Sequence, residues 1–337
     1  MQKRSNYPLT CYESIVLDKK SAKFIKTRNK ALYFDSKSDD TTLWQLHDEY
    51  TKKRSSDNKE HHQSLLDLKI ELAERMVEKC SFCEHKCGVN RKKNERGQCK
   101  CPYESKIASE FIHMGEEAEL IPSYTIFFAG CTFMCVFCQN FDISQNPNEG
   151  ILIDPITIAK MIDNRKRVGA KNVNFVGGDP TPHIHTILKT IREIKENIAI
   201  VFNSNMYLSE DSMKLLDGVV DVYLTDFKYY DSNEAEKYSK IKNYFEVVSR
   251  NHHLAKNQAE LIIRHLVLPN HVECCTKNIL CWIKDNLGQN MRINYMFQFR
   301  PTYMAKNYSE IARRLTFDEK SRVGEIVKEL DLFYASH

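Results

Sequence analysis

Three cysteines, Cys131, Cys135 and Cys138, stand in a C-x3-C-x2-C spacing directly after the apolar run 125–130. Three thiols on one short loop do not suit disulfide formation, because their number is odd. They are also one ligand too few for a closed zinc site. They suit a four-iron cluster in which three irons take protein sulfur and the fourth stays open for a substrate or cofactor. The spacing therefore predicts a metal centre with room for a ligand.

A second cysteine group lies upstream, with Cys80, Cys83 and Cys87 in a C-x2-C-x3-C spacing and Cys99 after eleven intervening residues. Neighbouring glycines permit the tight turns that would bring these thiols together. Four thiolates fit a closed structural zinc site and equally an auxiliary [4Fe-4S] cluster, so both remain open. The other cysteines show no ligand spacing and are interpreted as a spare or as structural residues: Cys101, and Cys11, Cys274, Cys275 and Cys281.

Six short apolar runs follow residue 121 and are rich in Val, Ile, Phe and Tyr, as strands are. Helical segments separate them, which predicts parallel strands joined by right-handed crossovers. The region of about 215 residues fits six such units better than the eight of a complete barrel. We therefore predict an α/β fold, an open partial (β/α)6 barrel with the cysteine loop at the C-terminal end of its first strand. The runs are 125–130, 172–177, 199–204, 220–227, 260–268 and 292–299.

The composition predicts three regions along the chain. Residues 1–62 are polar and weakly periodic, which predicts an extension or linker; residues 63–121 hold an amphipathic helix after Ser64 and the second cysteine group. Residues 122–337 hold the barrel. No apolar run approaches the roughly 20 residues of a membrane span. Twelve cysteines without the apolar core of a signal peptide predict a cytoplasmic protein that is not embedded in a membrane.

The net charge of +4 is unevenly distributed. Residues 1–100 carry 22 Lys/Arg and 15 Asp/Glu, a balance of +7, and the remaining 27 and 30 give −3. The basic clusters are short and interrupted by acidic residues, which favours a solvated face. They leave a nucleic acid or an acidic protein open as a partner.

The span from Cys80 to Leu332 resembles the radical S-adenosylmethionine (SAM) proteins related to pyruvate formate-lyase activating enzyme, in a branch with an N-terminal cysteine-rich stretch. The resemblance implies that Cys131, Cys135 and Cys138 hold a [4Fe-4S] cluster whose fourth iron would be chelated by the amino and carboxylate groups of SAM. One electron, from a donor such as flavodoxin or ferredoxin, would then release a 5′-deoxyadenosyl radical that abstracts hydrogen from a substrate. The matching strings are Cys80–Arg91, Thr125–Gln145, Gly177–Pro182 and Arg264–Pro269.

The resemblance also implies roles for residues at the strand ends. Phe137 would pack near the adenine, and the carbonyls of Gly177 and Gly178 would accept from the methionine ammonium. Asp179 stands where the family usually has Glu. Lys228 and Asp226 would lie near SAM, with a surface salt bridge as the competing interpretation.

Five further candidates follow from their places in or at the ends of strands. Asn203 and Ser204 could bond a ribose hydroxyl or a carboxylate, or simply form a turn. Alternation puts Arg264 and His265 on opposite faces, and Arg264 is the better candidate for a cofactor contact. By the same alternation Gln298 and Arg300 share a face and are candidate substrate contacts. Buried, satisfied polar residues are the alternative for all of them.

Three functions remain open. The first is a radical SAM oxidoreductase that abstracts hydrogen from a glycyl or other residue of a protein or peptide, as activating enzymes do. The second is the same chemistry on a small molecule, lipid or nucleic acid. The third is a non-enzymatic iron–sulfur or zinc interaction protein that uses the basic N-terminal third. For the enzymes we expect residues 1–100 to form part of the rim where the substrate enters.

Overall fold

A computed structural model of the chain describes residues 9–53 and 62–332. One sheet of eight strands forms its centre, in the order β3-β1-β2-β4-β5-β6-β7-β8. The strands are β1 (Lys106–His113), β2 (Ser123–Phe128), β3 (Ile151–Leu152), β4 (Asn172–Gly177), β5 (Ala199–Ser204), β6 (Val222–Asp226), β7 (Glu260–Leu266) and β8 (Arg292–Met296).

Six of these strands, β2 and β4 to β8, run parallel and confirm the predicted open barrel. All six positions of β5 are buried, because helices cover the outside of the sheet. The last apolar run is longer than its strand, since β8 ends at Met296.

Two antiparallel strands that the sequence did not reveal extend the sheet beyond β2. β1 pairs with β2 from Ile107 opposite Phe128 to His113 opposite Ser123, and the short β3 pairs with β1. The predicted boundary between residues 121 and 122 therefore falls between two paired strands. Charged and polar side chains interrupt the apolar residues of β1, as is common in strands near a sheet edge.

Helices cover the sheet and connect its strands. Ser64 and Asp67 form a capping box at the start of α4, and Asp154 caps α6. The helices are α1 (Thr10–Val16), α2 (Lys23–Arg28), α3 (Asp40–Lys52), α4 (Leu65–Glu78), α5 (Phe141–Ser144), α6 (Pro155–Arg167), α7 (Ile184–Glu193), α8 (Glu210–Leu216), α9 (Ser232–Ser239), α10 (Tyr244–Gln258), α11 (Asn278–Leu287) and α12 (Phe317–Glu329). None of the helices in these ranges is long and apolar enough to cross a membrane.

The described part of the expected N-terminal extension is folded. The Glu260 carboxylate, at the start of β7, accepts hydrogen bonds from the backbone of Cys11 and Tyr12 at 3.0 and 2.7 Å. Asn172, at the start of β4, donates to the Tyr12 hydroxyl at 2.8 Å. α1 therefore lies at the N-terminal mouth of the barrel, opposite the cysteine loop, so this part of residues 1–100 does not belong to the expected substrate rim.

Candidate active site

A cavity of about 430 Å³ opens at the C-terminal ends of the parallel strands. Its volume is in the range of small-molecule sites, and its position is where parallel barrels carry their chemistry. Cys131, Cys135 and Cys138 lie in its wall together with nearly all the residues singled out from the sequence. These are Phe137, Gly177, Gly178, Asp179, Asn203, Ser204, Asp226, Lys228, Arg264 and Gln298.

The cysteine loop follows β2 and is tied to the end of α9. The backbone N–H of Met134 donates to the Ser239 carbonyl at 3.0 Å, and that of Val136 donates to the Tyr238 carbonyl at 2.8 Å. Gly130, at φ +93°, makes the turn into the loop, and a Cβ there would lie 2.3 Å from the Cys101 sulfur. The loop is therefore held by its own backbone and by contacts from distant elements.

Each thiol of the loop has a polar neighbour. The Cys135 sulfur lies 3.0 Å from the Ser239 hydroxyl, and the Cys138 sulfur lies 3.2 Å from the Ser144 hydroxyl. The Asn205 amide lies 3.8 Å from the Cys131 sulfur. Hydrogen bonds to ligand sulfurs tune the reduction potential of an iron–sulfur cluster. Sequence reasoning missed Ser144 and Ser239 as site residues, although Ser144 stands in a string that carries the family resemblance. Asn205 directly follows the strand-end candidates Asn203 and Ser204.

Burial dominates the chemistry of these thiols before metal binds. It raises the pKa of Cys131 well above the ordinary value and the pKa of Cys135 to about 12. A thiol loses its proton to solvent when it coordinates a metal, so metal binding would release protons. Three thiols in the wall of one cavity, with free volume on their open side, fit a cluster that leaves one iron for a ligand.

The glycines after β4 are required by the protein itself. A Cβ on Gly177 would lie 2.1 Å from the Phe128 carbonyl oxygen, and one on Gly178 would lie 2.2 Å from that of Gly130. Real Cβ atoms do not approach so closely, so these positions accept only glycine while the cysteine loop stays in place. Both also line the cavity, where their backbone remains available to a ligand.

Asp179 ties two strand ends together. Its carboxylate accepts from the backbone N–H of Thr181 at 2.8 Å and of Asn205 at 3.0 Å, and from the Ser204 hydroxyl at 3.3 Å. Burial raises the pKa of this carboxyl despite those bonds. The side chains of Asp179 and Ser204 therefore hold the cavity wall in shape.

Lys228 is a cation in the cavity wall. Only 14% of its side chain is exposed, its ammonium pairs with Asp226, and it lies 6.0 Å from the centre of the Phe133 ring. Burial alone would lower the pKa of Lys228, but Asp226 and Cys135 outweigh it and the pKa is raised. A desolvated ammonium here can attract a ligand carboxylate. The pair is not a surface salt bridge.

Arg264 reaches the cavity and is already neutralised there. Its guanidinium pairs with Glu116 and Glu117, two buried carboxylates that precede β2. Its neighbour His265 faces the other way and bonds the Phe227 carbonyl at 2.7 Å and the Thr276 hydroxyl at 2.8 Å. The alternation predicted from sequence is therefore correct, but the carboxylates were missed, and Arg264 has less free charge for a cofactor than Lys228.

The chain beyond β8 departs from strand alternation. Gln298 lines the cavity, but Arg300 is exposed and does not. The expectation that both face the substrate side is wrong for Arg300, because the strand ends four residues earlier. Between them Phe299 turns inward and packs edge-on against Phe137, with ring centres 5.7 Å apart. Phe137 is therefore buried beneath the cavity.

The upstream cysteines gather beside this site. The Cys83 thiol interacts electrostatically with those of Cys80, Cys87 and Cys99. Close packing of Cys87 requires Gly97, where a Cβ would lie 2.8 Å from the Cys87 sulfur. The segment adjoins the catalytic side of the barrel, because a residue of the same loop, His85, contacts the Thr132 carbonyl at 2.9 Å.

The thiols of the two predicted centres are not packed as around a single ion. Sulfurs of a tetrahedral zinc site lie about 3.8 Å apart, given Zn–S bonds near 2.3 Å. Within the described ranges, one set of three metal-ligating side chains has all its ligand atoms within 4.8 Å of one another. That set is Glu234, Cys274 and Cys275, which the sequence had left as incidental.

The fold and this cavity define a class: a partial α/β barrel with a three-cysteine loop at the strand ends. The family description "Radical SAM superfamily" matches residues 125–283. These residues therefore form a radical SAM domain, which supports an enzyme that cleaves SAM and implies an iron–sulfur cluster.

Two relatives come from Methanocaldococcus jannaschii. Uncharacterized protein MJ0674 is 51% identical over 306 residues, covering 87% of this chain and 89% of its own length. Uncharacterized protein MJ0808 is 25% identical over 270 residues, covering 72% of this chain and 78% of its own length. Streptococcus suis SuiB, solved with its precursor peptide SuiA, is 14% identical, with a TM-score of 0.44 over 61% of this chain. This chain spans 46% of SuiB, less than half its length.

Proposed function

We propose that this radical SAM enzyme holds its [4Fe-4S] cluster on Cys131, Cys135 and Cys138 and abstracts hydrogen from a residue of a protein or peptide. One observation carries the first part: the three thiols share a single cavity with a buried ammonium, that of Lys228. When bound, the cluster and SAM supply the radical chemistry, and the protein supplies orientation and exclusion of water.

The residues around the cavity have different roles in binding SAM and the cluster. Lys228 attracts the carboxylate of SAM, and the backbone at Gly177 and Gly178 receives its ammonium. Phe137 and Asn203 supply an apolar and a polar surface for the nucleoside. Ser239 and Ser144 donate hydrogen bonds to ligand sulfurs, because a cluster-bound thiolate can only accept them.

The surface beside the cavity mouth supports a macromolecular substrate. Phe141 and Tyr303 stack with ring centres 4.8 Å apart, yet both remain exposed, Phe141 by 41% and Tyr303 by 42%. Met304 is 45% exposed, and its N–H donates to the Val136 carbonyl of the cysteine loop. Exposed Phe, Tyr and Met in one place are typical of protein interaction surfaces. We call Phe141, Tyr303 and Met304 the mouth patch.

The cluster assignment is tested by anaerobic reconstitution with iron and sulfide, followed by electron paramagnetic resonance of the reduced protein. SAM should change the spectrum of the cluster, because it binds the open iron. The triple Cys131/Cys135/Cys138→Ala variant should lose that SAM-sensitive signal, and Cys281→Ala should keep it. A spectrum that SAM leaves unchanged in the wild-type protein contradicts the proposal.

The substrate class is tested separately. Extract of cells that make the protein is divided into a dialysed macromolecular fraction and a small-molecule fraction. The macromolecular fraction should stimulate 5′-deoxyadenosine formation, and the double variant Phe141→Ser/Tyr303→Ser should lose the stimulation but keep the basal rate. Stimulation by the small-molecule fraction alone would support the second class of substrate instead.

We propose in addition that Cys80, Cys83, Cys87 and Cys99 hold a second metal centre, an iron–sulfur cluster rather than zinc. The support is that, among the described residues, no three of these thiols lie within 4.8 Å of one another, whereas the sulfurs around one zinc ion lie about 3.8 Å apart and a four-iron cluster offers each thiol its own iron. The triple variant of the first loop should retain iron and sulfide if this is correct. Zinc found instead of iron and sulfide would identify a structural zinc site. A folded triple variant without any metal would show that there is no second centre.

A further inference from the structure

A cluster of metal-ligating side chains lies outside the cavity, between α9 and the chain that follows β7. Glu234 belongs to the first turn of α9, and Cys274 and Cys275 lie in a π-helical turn, Val272–Lys277. Single π-helical turns are rare and are frequently found at functional sites. His271 immediately precedes this turn and points to the same carboxylate.

The ligand atoms of Glu234, Cys274 and Cys275 all lie within 4.8 Å of one another, and His271 approaches the same carboxylate. The Cys275 sulfur lies 2.7 Å and the Cys274 sulfur 3.8 Å from the Glu234 carboxylate oxygens. His271 Nε2 lies 3.1 Å from the same carboxylate. Around a tetrahedral zinc ion a sulfur and an oxygen lie about 3.6 Å apart, and a nitrogen and an oxygen about 3.4 Å. The ligand atoms of Glu234, Cys274 and Cys275 are therefore spaced for one ion, and His271, which already contacts the carboxylate, would move towards the thiols to become the fourth ligand.

The imidazole of His271 is held in the orientation of a metal ligand. Its Nδ1 lies 2.6 Å from the Pro269 carbonyl, which can only accept, so Nδ1 carries a hydrogen. Nε2 is thereby directed at Glu234. Metal-binding histidines almost always make such a bond through the second ring nitrogen, often to a backbone carbonyl.

We infer that Glu234, His271, Cys274 and Cys275 form a zinc site that ties α9 to the π-helical turn. Two thiolates, one imidazole and one carboxylate make a closed set of four ligands of the kinds that zinc prefers. His271 and Cys275 are buried and Cys274 is exposed, so an ion can enter from solvent. Binding releases the protons of the two thiols and needs no redox partner.

The location gives the site a structural consequence. α9 begins beside the proposed ion and ends at Ser239, whose carbonyl and hydroxyl contact the cysteine loop. An ion at the start of α9 would therefore fix the element that supports Cys135. This consequence depends on the proposed cluster, but the zinc site itself does not.

Cysteine alkylation tests the site within the full-length protein. Protein with reconstituted iron centres is treated with iodoacetamide, with and without added Zn²⁺, and each cysteine is quantified by peptide mass spectrometry. Zinc should protect Cys274, and Cys11 provides an internal control because it is also exposed. Equal labelling of Cys274 with and without zinc overturns the inference.

Metal counting supplies the second test. The wild-type protein should retain one zinc per chain that Cys274→Ala/Cys275→Ala and the nearly isosteric Glu234→Gln lose. Cys281→Ala is the matched control and should retain it. Iron content equal to the wild type shows that the variants are folded and separates this result from failure of the radical SAM proposal. Zinc retained in both site variants overturns the inference.

Discussion

The Ser239 hydroxyl lies 3.0 Å from the Cys135 sulfur, across 104 residues of sequence. The Tyr229 hydroxyl in turn lies 2.7 Å from that of Ser239, so the two form a short chain that ends on a predicted cluster ligand. Both hydroxyls are buried. This contact joins α9 to the loop that would carry the cluster.

Removing this hydroxyl should lower the reduction potential of the cluster. The reduced cluster is the more negative form, so a hydrogen bond donated to its sulfur stabilises it preferentially. We expect Ser239→Ala to have a more negative midpoint than the wild type in a titration followed by electron paramagnetic resonance. Ser249→Ala, at an exposed hydroxyl, should leave the midpoint unchanged. An unchanged midpoint in Ser239→Ala would show that the contact does not act on the cluster.

Replacing the buried ammonium should weaken SAM binding. A hydrogen bond to a charged group contributes roughly 1.5–3 kcal/mol, which corresponds to about a ten- to hundredfold rise in Kd. We expect Lys228→Met to show this rise in equilibrium dialysis with the reconstituted protein. Lys242→Met, at a side chain that is 78% exposed, is the control. If both variants bind SAM as the wild type does, Lys228 does not hold the carboxylate.

A methyl group at Gly178 should displace the cysteine loop. The added Cβ would lie 2.2 Å from the Gly130 carbonyl oxygen, a backbone atom that cannot move aside as the end of a flexible side chain can. We expect Gly178→Ala to retain less iron after reconstitution and to unfold at a lower temperature. Gly324→Ala is the matched control, because a Cβ there meets nothing within 4 Å and alanine favours the helix by about 1 kcal/mol. Equal iron in the two variants would contradict the packing argument.

The sequence predicts best those elements whose burial is continuous. β4 and β5 are buried at eleven of their twelve positions because both faces of the sheet are covered there, and the cysteine loop follows from its spacing alone. α1 is short and buries only Tyr12 and Ile15, so its seven residues carry too little periodicity to detect. We did not predict β1, because polar and apolar residues are mixed along it.

Side chains that reach the site from distant elements could not be predicted. Glu116 and Arg264 are 148 residues apart, and nothing local in either segment indicates their ion pair. Nothing local in the sequence indicates that Ser239 is a site residue either, because only the position of α9 brings it next to Cys135. The Glu234, Cys274 and Cys275 cluster combines residues from two segments whose proximity depends on the packing of α9 against the π-helical turn.

A buried lysine away from the site should make stability depend on pH. Lys69 of α4 is fully buried and donates to the Lys214 carbonyl at 2.9 Å, and burial lowers its pKa to about 7. Unfolding restores the ordinary pKa of 10.5, so the unfolded chain binds a proton that the folded chain has released. Stability should therefore rise as the pH increases from about 7 towards 10.5.

Urea denaturation at neutral and alkaline pH measures this effect. Lys69→Met removes the titrating group, so its free energy of unfolding should rise less with pH than that of the wild type. Lys26→Met, at an exposed side chain, should keep the slope of the wild-type protein. The same pH slope in Lys69→Met as in the wild type would exclude Lys69 as its source.

The central claim is that Cys131, Cys135 and Cys138 together support reductive cleavage of SAM. Mass spectrometry of 5′-deoxyadenosine after anaerobic incubation with SAM and a one-electron reductant measures it directly. The reconstituted wild-type protein and Cys281→Ala should form the product, and Cys135→Ala should form none. Product formation by Cys135→Ala at the wild-type rate, or its absence from iron-loaded wild-type protein, would contradict the account.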